Sequence, residues 1–96
     1  MYTIPYSDLN EIADPFTFSV SLHTDDHFRG IELRLEKSWF DDRFEAQLIM
    51  VSHVISFDEL NAFKTDKIAN QWLWHTVVKM RNDLVNALSE KEVYGA

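Results

Sequence analysis

Apolar and polar residues alternate through 16–23. Phe16, Phe18, Val20 and Leu22 interleave with Thr17, Ser19, Ser21 and His23, the period of a half-buried strand. Thr24-Asp25-Asp26-His27 carries turn chemistry. The alternation resumes over 28–37, where Ile31, Leu33 and Leu35 point inward and Glu32, Arg34 and Glu36 outward. Trp39-Phe40-Asp41-Asp42 then predicts a second turn. A third strand is expected over 43–56, with Phe44, Ala46 and Leu48 inward against Glu45 and Gln47. Ile49, Val51 and Ile55 then fall on its outer side. A strand apolar on both faces is covered twice, bulged or used in contact.

Helical spacing frames these strands. A short helix is predicted over 7–13, with Ser7 as its cap and Asp8 in its first turn, ended by Asp14-Pro15. Another short helix is expected over 57–63. Thr65 then caps a long helix reaching about residue 92. At 100° per residue, Ala69, Leu73, Val77, Met80, Leu84, Ala87 and Leu88 form one stripe, and Trp74, Val78 and Val85 a second beside it. Ile68 and Trp72 fall on the opposite side, among His75, Lys79, Asn82 and Asn86. This is more apolar surface than one small sheet needs, so the helix is expected to touch something else as well. The order is α-β-β-β-(α)-α: an α+β fold, a three-stranded antiparallel meander with its helices on one face. The chain, 1–96, is expected to be one domain with a frayed tail at 94–96.

Composition narrows the function. With 46% apolar residues, seven Phe, three Trp and three Tyr, the chain can build a core, and disorder is not expected. There is no Cys, which removes disulfides, thiolate metal sites and thiol nucleophiles and suits a reducing cytoplasm. The amino-terminal residues lack a basic and apolar signal region, and no apolar segment approaches the length of a membrane span. The net charge is −7. Twelve acidic and five basic residues up to position 65 account for all of it, because the remainder holds four of each. Such a surface disfavours phosphate backbones and suits a basic protein partner.

No residue pattern names a reaction. Nucleophile elbow, zinc-protease helix, kinase motifs and dinucleotide fingerprint are all missing, so no catalytic residue, cofactor or metal ligand is assigned. His23 and His27 bracket Asp25 and Asp26, but at a spacing that matches no metal site. The meander predicts that Asp14, Asp41 and Asp42 cluster at one end, and that Asp25 and Asp26 approach Asp58 and Glu59 at the other. Trp39 and Phe40 flank the first cluster. Aromatics ringed by acids have the make-up of a binding hot spot. Asp14, Trp39, Phe40, Asp41 and Asp42 are therefore the expected partner site. Ile68, Trp72, Trp74, Val78 and Val85 are a secondary patch for a partner or for a homodimer.

The element order resembles that of double-stranded-RNA-binding domains. Their last helix begins with a Lys-rich phosphate clamp, whereas here the sequence is Thr65-Asp66-Lys67-Ile68-Ala69, which argues against RNA. The acidic balance, the lack of Cys and the element order together resemble small phage-encoded inhibitors, including anti-CRISPR proteins that cover a nucleic-acid-binding surface. That resemblance implies a non-enzymatic cytoplasmic binding protein that blocks or regulates a partner with a basic surface. A self-associating assembly subunit is the alternative.

Overall fold

The computed structural model describes the backbone of residues 2–94 and the side chains of 2–89; Gly95 and Ala96 of the expected tail lie outside the described residues. The elements are α1 (Tyr6–Ala13), β1 (Thr17–Thr24), β2 (Arg29–Phe40), β3 (Ala46–Ser56), α2 (Phe57–Ala62) and α3 (Asp66–Tyr94). The strands form one antiparallel sheet in the order β1-β2-β3, and the architecture is α+β, in the order the hydrophobic pattern predicts.

The core lies between the helices and one sheet face. Phe16, Phe18, Ile31, Leu33, Leu35 and Ile55 from the sheet meet Leu9 and Ala13 of α1, Leu60 of α2, and Leu73, Val77, Met80 and Leu84 of α3. The first stripe of α3 is thus the buried one. Ser56 caps α2 by accepting from the Glu59 backbone N–H at 3.0 Å, and Thr65 caps α3 by accepting from Ile68 at 3.2 Å. Ser7 does not cap α1. That helix starts one residue earlier behind Pro5, and no side chain caps it. Two polar contacts tie the amino-terminal region to α3. The Tyr2 hydroxyl donates to the Asn70 side-chain oxygen, and Arg81 donates to the Ile12 carbonyl at 3.2 Å. Burial, then the nearby Asp66 carboxylate, pushes the Tyr2 hydroxyl above its ordinary pKa.

The third strand has the opposite phase to the one its sequence suggests. Leu33 pairs with His53, Leu35 with Val51 and Ile31 with Ile55, so the odd residues of β3 face the helices. Phe44, Ala46 and Leu48 do not enter the core, and Phe44 and Leu48 are 86% and 56% exposed. Leu22 has the expected phase but is 75% exposed. It lies at the far end of β1, whereas α1 packs on β1 near Phe16 and Phe18 and α2 packs on β2 and β3.

β2 and β3 pair without a bulge from Gly30↔Ser56 to Phe40↔Ala46. Gly30 makes that closeness possible: a Cβ there would lie 2.0 Å from the Ile55 carbonyl oxygen.

Candidate functional site at the β2–β3 tip

The phase of β3 is set by the loop before it. Asp41 and Glu45 form the closing pair, with the Asp41 N–H donating to Glu45 O at 3.0 Å and the Phe44 N–H donating back to Asp41 O at 2.9 Å. That is a three-residue hairpin loop, 42–44, whose last position is left-handed and is normally given to glycine. Here it is Phe44, at φ 60°. A left-handed backbone is costly for a bulky side chain, on the order of 1–2 kcal/mol. The Phe44 ring recovers nothing in the core, since it is the most exposed of the large apolar residues described.

Asp41 organises this loop. Its Oδ1 accepts from the backbone N–H groups of Arg43 and Glu45, both at 2.9 Å, and its Oδ2 accepts from the Gln47 side-chain amide at 3.1 Å. The carboxylate is thus committed to the turn. Asp42 and Glu45 are the exposed acids of the tip.

Trp39 and Phe40 are strand residues, not turn residues. Successive side chains alternate across the sheet, so they point to opposite faces. Trp39 is half-buried on the helix side and Phe40 is 72% exposed on the open side. Asp14 is exposed beyond the start of β1. Its N–H bonds back to Glu11 in α1, and no hydrogen bond joins it to Phe40, Asp41 or Asp42. Of the five residues expected at the site, Phe40 and Asp42 are presented by the tip, and Phe44 joins them. Leu48 and Met50 continue the apolar surface down the open face of β3.

The secondary patch is not one surface. Trp72 packs sideways into the fold, its ring 5.6 Å from that of His53 and 5.7 Å from that of Phe63. Trp74 and Val85 are exposed on the solvent side of α3, with Val78 half-exposed between them. Ile68 lies about 120° round the helix from Trp74. Trp74 stands edge-on to His75 at 5.1 Å, over a shallow groove that includes Lys67, Asn70 and Gln71.

At the other end of the sheet, Asp25, Asp26, Asp58 and Glu59 border one open depression, as the meander predicts. The His27 backbone N–H donates to Asp25 at 2.8 Å, and this bond, with His23 beside it, holds the exposed Asp25 carboxyl below its ordinary pKa. Among the described residues no three His, Asp or Glu side chains converge to hold a metal ion, and no helix is long and apolar enough to cross a membrane.

The chain matches no family model, no curated protein and no solved structure.

Proposed function

We propose that this chain is a non-enzymatic binding protein that covers a basic surface of a macromolecular partner with its β2–β3 tip. One observation carries the reading. Phe44 is held in a left-handed conformation and is 86% exposed, at a position where glycine would serve both backbone and solvent better. Strain of this kind persists where a site needs it. Exposed aromatics supply the buried area of a hot spot, and Phe40 adds a second ring at the base of the same tip. Asp41, Asp42 and Glu45 outnumber the one base among them, Arg43, and the net acidic tip steers a basic partner into place. Within this class, a small inhibitor that blocks a nucleic-acid-binding surface, as in phage counter-defence, suits the charge of −7. The lack of Cys suits a cytoplasmic setting.

The test uses the tagged chain as bait in a host lysate, followed by binding kinetics with the protein recovered. Capture is expected to weaken as salt is raised. Asp42→Asn is expected to slow association several-fold, and Phe40→Ala to speed dissociation by about tenfold or more. Capture indifferent to salt and to both substitutions would place the binding surface elsewhere.

A further inference from the structure

β3 is the edge of the sheet, and it lacks the devices that usually protect an edge. It is 11 residues long and contains no Asp, Glu, Lys, Arg or Pro. Its pairing with β2 has no bulge. Natural edges are blunted by short strands, charge, proline or bulges. The opposite edge, β1, is only 8 residues long, and α1 occupies one of its backbone carbonyls: the Tyr6 hydroxyl donates to Phe18 O at 3.0 Å. Among the described residues no helix side chain hydrogen-bonds to the β3 backbone.

The open sheet face grades across its width. β1 presents Ser19 and Ser21, and β2 presents Glu32, Arg34 and Glu36, with Arg34 paired to Glu32 at 2.7 Å. β3 presents Leu48, Met50 and Val54, all exposed, with the exposed Ser52 between the last two. The apolar column therefore runs along the unguarded edge.

We infer that the β3 edge pairs antiparallel with β3 of a second copy, giving a dimer with one continuous six-stranded sheet. Charge selects that occupant. A basic partner finds nothing to attract it on an uncharged strand, whereas a second copy of a chain carrying −7 can approach closely only where charge is missing. An antiparallel edge is also complementary to itself under a two-fold axis. Pairing brings the two columns of Leu48, Met50 and Val54 side by side, where cross-strand contacts stabilise them. The strand is about 37 Å long. A contact along one strand edge is smaller than a standard interface, so the dimer is expected to be weak and to depend on concentration. The remaining edges are the shorter β1 strands, each with its Phe18 carbonyl already taken by Tyr6, so assembly is expected to stop at two. The two tips then point from opposite ends of the extended sheet, so the dimer presents two binding sites.

Sedimentation of the full chain over a concentration series tests this, together with hydrogen exchange of its backbone amides. The expected result is a monomer–dimer equilibrium with protection that rises with concentration within 46–56. The double substitution Met50→Lys, Val54→Lys places each new charge opposite an acid of β2, Glu36 and Glu32, so the fold is retained while like charges meet across the two-fold. It is expected to weaken dimerisation at least about tenfold. A monomer throughout, or a dimer whose concentration-dependent protection falls on α3 instead of β3, would overturn the proposal. So would a folded double variant that still dimerises. If the double variant fails to fold, the exchange pattern of the unaltered chain decides alone.

Discussion

Gly30→Ala is expected to destabilise the domain by about 3 kcal/mol or more, because the added methyl has nowhere to go. Its Cβ would stand 2.0 Å from the Ile55 carbonyl oxygen and 2.8 Å from the Ser56 Cα. Both obstacles are backbone, so no rotamer relieves the clash and the β2–β3 ladder must open locally. Overpacking a core typically costs 1–3 kcal/mol, and here lost strand hydrogen bonds add to it. A domain of this size has roughly 5–15 kcal/mol in all. Urea unfolding followed by tryptophan fluorescence measures the change. A loss below about 1 kcal/mol would mean that the strands lie farther apart at Gly30 than described.

Phe18→Ala is expected to cost about 3–5 kcal/mol. Phe18 is 2% exposed, and its ring sits 5.4 Å from that of Tyr6, so truncation leaves a cavity lined by two elements that cannot close on it independently. The loss also loosens α1 against β1. The same urea experiment gives the value, and hydrogen exchange in α1 is expected to rise with it. A neutral result would contradict the core described here.

Much of this fold was legible in the residues. β1 and β2 alternate over enough positions that their phase is unambiguous, and Ser56 and Thr65 stand where capping chemistry belongs. The third strand departs from its sequence pattern because one residue breaks a local rule. Phe44 has strong strand propensity, so the sequence reads it as the start of an inward-facing run. In the structure it ends a three-residue loop, and every residue after it changes face. The residue types do carry a signal for the observed phase: Ile49, Val51 and Ile55 are β-branched and denser in apolar area than Phe44, Ala46 and Leu48, and the strand turns its better-packing set inward. Trp39 and Phe40 separate because β2 runs on through Phe40 and successive strand side chains take opposite faces. The tip was visible as a cluster of aromatic and acidic residue types. Hydrogen-bond geometry alone reveals that Asp41 belongs to the turn, and backbone geometry alone that Phe44 ends the loop at the tip. Leu22 has the right phase for burial, and only the positions of α1 and α2 decide that it is not roofed.

Phe44 is strained and exposed, with no burial in return. Phe44→Gly measures this directly, with unfolding free energy and partner affinity determined on the same preparation. Glycine adopts the left-handed conformation without penalty, so the variant is expected to be at least as stable as the unaltered chain, by up to about 1 kcal/mol, while affinity for the captured partner falls by about tenfold or more. Lower stability with unchanged affinity would contradict the account, because it would make Phe44 a packing residue and leave the tip without a role.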